Sequence, residues 1–124
     1  MNELILEKTN DTPFVHLNKK ENKFSIGGRS LPENAITFYE PILNWLENYI
    51  VNPNQETIFE FNFEYFNSAS SKQIFNIVFL LKKLHEDGKI IKIKWIYDLD
   101  DELIEEEGKE FEEMFNIPFE YITQ

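Results

Sequence analysis

The chain of 124 residues has no cysteine, so it can form no disulfide, no thiolate zinc site and no cysteine nucleophile. Basic residues are scarce: 12 Lys and Arg stand against 23 Asp and Glu, a formal net charge of −11. That balance argues against nucleic acid and anionic membrane as partners, because clustered Lys and Arg hold both. No apolar run approaches the length of a membrane span. The first residues include acids and no long apolar stretch, unlike a secretory signal. These absences together suggest a cytoplasmic protein.

What is present is aromatic. Twelve Phe, five Tyr and two Trp within a hydrophobic content of 42% are enough for a substantial core. A single domain over residues 1–124 is expected.

Glu3 to Lys8, Pro13 to Leu17 and Lys23 to Ile26 are short apolar-rich segments separated by turn clusters, a pattern of small strands in a meander. Gly27-Gly28 then predicts a sharp turn. Ser30-Leu31-Pro32-Glu33 matches a capping box, with the Ser30 hydroxyl accepting from the Glu33 amide. A helical stripe follows from Ile36 to Ile50, and Pro41 within it predicts either a kink or a break. Thr57 to Phe66 alternates as a strand, with Thr57, Phe59, Phe61, Phe63 and Tyr65 on one face and Ile58, Glu60, Asn62, Glu64 and Phe66 on the other. The next helix is predicted from about Ser70 to Asp87, with Ile74, Phe75, Ile77, Val78, Leu80, Leu81 and Leu84 inward and Gly88 as its stop.

Ile90 to Tyr97 reads as a second alternating strand, whose Lys92 and Lys94 can face Glu60 and Glu64 across a strand pair. A last helix spans about Asp101 to Phe115, with Leu103, Ile104, Gly108, Phe111, Met114 and Phe115 on one side. Gly108 allows a close approach to the sheet. Phe119 to Ile122 forms a closing strand. The order is a β meander followed by β-α-β-α-β-α-β, an α/β fold with a mixed, largely parallel sheet. Polar residues on one strand face predict a two-layer arrangement with the helices mainly on one side.

Chemistry is sparse. His16 and His85 are the only imidazoles and have no evident partners, so a sheet histidine and a helix-end cation describe them better than metal ligands or bases. Asp98, Asp100, Asp101 and Glu102 suggest a calcium loop, but Leu103 and Lys109 occupy the positions that need Gly and Glu. Glu105-Glu106-Glu107 reads as a solvated helix face or a dock for a basic partner. Gly27-Gly28-Arg29-Ser30 lacks the spacing of a nucleotide loop.

The remaining candidate is Asn67-Ser68-Ala69-Ser70-Ser71, at a strand-to-helix junction where open α/β sheets concentrate their sites. A phosphate there would bring about −1.5 to −2 charges to a helix N-terminus. The same residues also make ordinary caps, and Ser70 with Gln73 fits a second capping box.

Three blocks carry a resemblance: Ser30-Leu31-Pro32-Glu33-Asn34-Ala35 with Phe38-Tyr39-Glu40-Pro41-Ile42 and Trp45-Leu46; Tyr65-Phe66-Asn67-Ser68-Ala69-Ser70-Ser71-Lys72; and Trp95-Ile96-Tyr97-Asp98 with Asp100-Asp101-Glu102 and Glu107-Gly108. In this order the chain resembles the SiaC family of bacterial regulatory phosphoproteins, relatives in fold of STAS and anti-sigma-factor-antagonist domains. The resemblance implies a non-enzymatic protein without cofactor or metal. It implies three partners: a diguanylate cyclase activated by the unphosphorylated form, an anti-sigma-factor-type Ser/Thr kinase, and a PP2C-type phosphatase. It also implies a link to cyclic di-GMP and biofilm growth. The family's phosphoacceptor position falls on Ser68, where Ser replaces a frequent Thr, with Ser70 and Ser71 as fallbacks. Tyr65, Asn67, Ser68, Ser70, Ser71 and Lys72 become the expected partner-binding residues. Two other readings stand beside this one: a constitutive scaffold in which Ser68 only caps, and a small enzyme using Asp98 to Glu102.

Overall fold

Phe59, Phe61 and Phe63 alternate with Ile58, Glu60 and Asn62, and only the first set is fully enclosed. That one-sided burial sets the architecture, which the computed structural model describes for residues 1–124. Strands β1 (Leu4–Leu6), β2 (Phe14–Asn18) and β3 (Lys23–Ser30) precede helix α1 (Ala35–Tyr49). Strand β4 (Glu56–Phe66), α2 (Ser68–Glu86), β5 (Ile90–Tyr97), α3 (Glu102–Phe115) and β6 (Phe119–Thr123) follow. The six strands lie in sequence order. β1, β2 and β3 pair antiparallel, and β3 through β6 pair parallel. Three right-handed crossovers stepping the same way across a sheet place all their helices on one face. The two-layer α/β expectation holds, and no helix is long and apolar enough to cross a membrane.

Aromatic packing fills the space between the layers. Trp95 of β5 lies at its centre, within 5.6 Å of Phe61 and 6.0 Å of Phe111 and Phe119, ring centre to ring centre. Its indole Nε1 donates to the Ile104 carbonyl at 2.9 Å, which satisfies the buried N–H. Gly108 of α3 makes this approach possible, because a Cβ there would fall 2.6 Å from Trp95 Nε1. Gly108→Ala is therefore expected to destabilise by about 1–3 kcal/mol through overpacking, read as a lower midpoint of chemical unfolding.

Several local expectations are corrected. Gly27-Gly28 is no turn; β3 runs through it to Ser30, because β4 offers a full-length parallel partner. Gly27 lies so close to β4 that a Cβ would stand 2.4 Å from the Asn62 carbonyl oxygen, and Gly28 has φ +102°. Ser30, held in the strand, cannot cap α1; Asn34 does, accepting from the Thr37 amide at 3.1 Å. Pro41 neither ends nor splits α1. It is exposed, as is Thr37, so water can reach the Thr37 carbonyl that proline leaves without an amide.

Ile36, Phe75, Leu103 and Met114, counted in the inward stripes, are exposed. Phe75 and Met114 line a groove between α2 and α3, and Ile36 borders one between α1 and α2. Lys94 stands opposite Glu60 as expected, whereas Lys92 pairs with Glu56 at 3.5 Å rather than with Glu60 or Glu64.

Candidate functional site

The parallel ladder between β3 and β4 slips by one residue near its end. Gly28 pairs with Phe63, but Arg29 pairs with Tyr65, leaving Glu64 as the extra residue of a bulge. The slip reverses the expected phase of the last residues. Tyr65, predicted to share a face with Phe63, is 41% exposed, while Phe66 turns into the core against Phe63 and Trp95. The Arg29 guanidinium lies 5.7 Å from the centre of the Tyr65 ring. A one-residue change of phase thus brings Tyr65 to the surface directly before α2.

Asn67 caps α2, its side chain accepting from the Ser70 amide at 2.9 Å and its own amide donating to the Ser30 carbonyl at 3.1 Å. The helix therefore begins at Ser68, not at Ser70, and the second capping box does not form. Ser70, expected as a fallback phosphoacceptor and a partner-binding residue, is fully buried. Its hydroxyl donates to the Ser30 carbonyl at 2.9 Å and accepts from the Ser30 hydroxyl at 2.8 Å. Ser30 Oγ in turn lies 2.6 Å from the Tyr39 hydroxyl. With Ser30 donating to Ser70, Tyr39 is the donor that completes the chain. Burial pushes the Tyr39 phenol up to about 12, so it stays protonated.

This chain of hydroxyls ties α1, β3 and α2 together beneath the junction. Sequence reading missed Ser30 and Tyr39 as partners of Ser70. The one available signal was a tyrosine in the apolar stripe of α1, since a buried phenol needs a polar partner. Tyr39→Phe removes the terminal donor and is expected to cost about 1 kcal/mol in chemical unfolding.

Ser68 has no such commitment. It is the first residue of α2 and exposed, with Lys72 one turn further on and also exposed. Ser71 and Asn67 are half-buried beside it. The structure therefore groups Tyr65, Asn67, Ser68, Ser71 and Lys72 at one surface and places Ser70 below it. Ser71 and Lys72 also line the groove between α2 and α3, about 450 Å³, with Phe75, Met114, Glu107 and Glu110. Burial, then the neighbouring Glu110, raises the Glu107 carboxyl above the ordinary range.

The other chemical candidates have structural tasks. Asp101 caps α3 by accepting from Ile104, and Asp98 accepts from the Asp100 amide. No group of three His, Cys, Asp or Glu side chains is arranged to hold a metal ion. His16 contacts Glu3 at 3.1 Å, and His85 lies in the last turn of α2.

A family model for the SiaC family regulatory phosphoprotein matches residues 6–124. The chain belongs to the SiaC family. The crystal structure of apo-SiaC from Pseudomonas aeruginosa superimposes with a TM-score of 0.91 at 26% identity, covering 99% of this chain and all of that one. SiaC of Pseudomonas aeruginosa has also been solved in complex with the diguanylate cyclase SiaD, of which it is the activator; that SiaC matches with a TM-score of 0.90 at 26% identity over 98% of this chain and 99% of its own. An uncharacterised protein of Pseudomonas aeruginosa strain UCBPP-PA14 is 27% identical over 119 residues, covering 96% of this chain and 94% of that protein. The likeness to the solved SiaC structures thus extends over the whole six-stranded fold.

Proposed function

We propose that this chain is a non-catalytic regulatory phosphoprotein that binds and activates a diguanylate cyclase and is switched at Ser68. The observation that carries the reading is the SiaC structure in complex with a cyclase, similar to this chain over almost its full length. A kinase of the anti-sigma-factor type transfers the γ-phosphoryl group of ATP to Ser68 Oγ, releasing ADP and the hydroxyl proton. A PP2C-type phosphatase adds water across the phosphate ester and restores the hydroxyl with release of inorganic phosphate. On this reading the protein works in the cytoplasm, where ATP and the cyclase's own substrate are found.

The site's geometry supports the switch. Ser68 is exposed and engaged in no part of the buried hydroxyl chain, so a modifying enzyme can reach it without unfolding α2. A phosphate there gains the free amides of the first turn and stands one helical turn from Lys72. A partner that covers Ser68 must then strip water from a doubly charged group or oppose it with its own carboxylates, and both disfavour docking.

The test is to titrate the unmodified chain into the cyclase of the same organism and follow cyclic di-GMP formation. A saturable rise in turnover is expected, and the kinase-treated chain should give none. Equal stimulation by both forms would replace the switch with a constitutive scaffold.

A further inference from the structure

The exposed face of α2 does not end at the junction. Counting from Ser68, the exposed residues four, seven, eleven and fifteen positions on are Lys72, Phe75, Phe79 and Lys83, a single stripe along the helix. Phe79 is 45% exposed at its middle, and Phe75 beside it packs partly on Phe115 at 4.8 Å. Neither lysine belongs to an ion pair: the chain's three are His16 with Glu3, Lys92 with Glu56 and Lys109 with Glu105. Lys83 instead rests 4.9 Å from the centre of the Phe79 ring.

Grooves run along both sides of this ridge. The one toward α3 bears Glu107 and Glu110, and the one toward α1, about 520 Å³, bears Glu47 with Leu43, Ile50 and Val51. α2 has no acidic residue before its last turn, whereas α1 has no basic one. The molecule is strongly acidic, yet this exposed aromatic ridge carries two cations outside any ion pair, between grooves that bear glutamates.

We propose that the α2 ridge is the docking surface for an amphipathic helix of the effector, with an apolar stripe that covers Phe75 and Phe79 and carboxylates that meet Lys72 and Lys83. The proposal rests on the reading that the chain binds an effector protein and names the chemistry of that partner. Lys72 and Lys83 are eleven residues apart, about 16 Å or three turns, so the partner's carboxylates carry the same spacing. The acidic walls repel carboxylates placed off the ridge and so set the register. The surface is continuous with Ser68, and the sign agrees with the switch. A phosphate on Ser68 captures Lys72 from the same helix and repels the carboxylate that Lys72 would otherwise hold.

Two peptides about five turns long, with one leucine stripe and either two glutamates or two lysines three turns apart, test the chemistry without the cyclase. In fluorescence anisotropy the glutamate peptide should bind about tenfold more tightly than the lysine peptide, and Phe79→Ser should weaken it about tenfold. Lys72→Glu with Lys83→Glu should reverse the preference. Equal binding of the two peptides, or preference for lysine by the native chain, would overturn the proposal. The same substitutions, checked for unchanged thermal unfolding, should weaken binding to the cyclase about tenfold. A cyclase that binds all variants alike removes the ridge and leaves the proposed function standing. Peptide discrimination without any cyclase binding by the native chain does the reverse. A dimer in light scattering that Phe79→Ser dissolves would make a second copy the occupant and overturn the assignment.

Discussion

Ser68→Asp is expected to weaken cyclase binding by about 100-fold, or roughly 2.7 kcal/mol, with little change in the stability of the free protein. The two halves of this expectation have different physical origins. In the free chain Ser68 is exposed at the first position of α2, where a carboxylate meets the positive end of the helix. That placement is neutral to slightly stabilising. In the proposed complex the same carboxylate would lie within a covered surface, where an unpaired charge is strongly unfavourable. Calorimetric titration of the cyclase and thermal unfolding of the free variant measure the two halves separately. Ser68→Ala should bind like the native chain and resist the kinase. If Ser68→Asp bound with native affinity, the hydroxyl would lie outside the interface and the switch would have to act elsewhere.

The second large effect lies two residues further on and is opposite in kind. Ser70→Asp is expected to destabilise the fold by about 3 kcal/mol or more, because it buries a carboxylate against oxygen atoms. Ser70 Oγ faces the Ser30 hydroxyl and the Ser30 carbonyl, and the carbonyl can only accept. A carboxylate in that place could receive a bond from Ser30 Oγ but would oppose its carbonyl. Chemical unfolding of Ser70→Asp beside Ser68→Asp, two residues apart in sequence, should therefore show a large loss for the first and almost none for the second. Comparable midpoints for the two would mean that Ser70 is not enclosed by the Tyr39–Ser30 chain.

The α/β order, all of β5 and the role of Gly108 were legible because each is written locally. Ile90 to Tyr97 alternates cleanly between a glycine stop and an acidic loop, and a lone glycine on a helix face signals close approach. What was not legible depends on partners distant in sequence. Gly27-Gly28 looks like a turn until β4 is placed alongside it, and only then does the strand extend to Ser30. The bulge at Glu64 exists only in that pairing, so the exposure of Tyr65 could not be read from alternation. Ser70 looked like a cap because its commitment is to Ser30, forty residues earlier. The position of Ser68 came from resemblance; the residues themselves left three hydroxyls open. The structure separates the buried Ser70 from the other two.

The proposed switch acts at the Ser68 hydroxyl. The most direct measurement is the cyclase affinity of chain phosphorylated by its kinase, with the modified residue located by tandem mass spectrometry. A single phosphate, on Ser68, is expected, with at least about a 100-fold loss of affinity that phosphatase treatment reverses. A phosphate confined to Ser68 that left the affinity unchanged would contradict it.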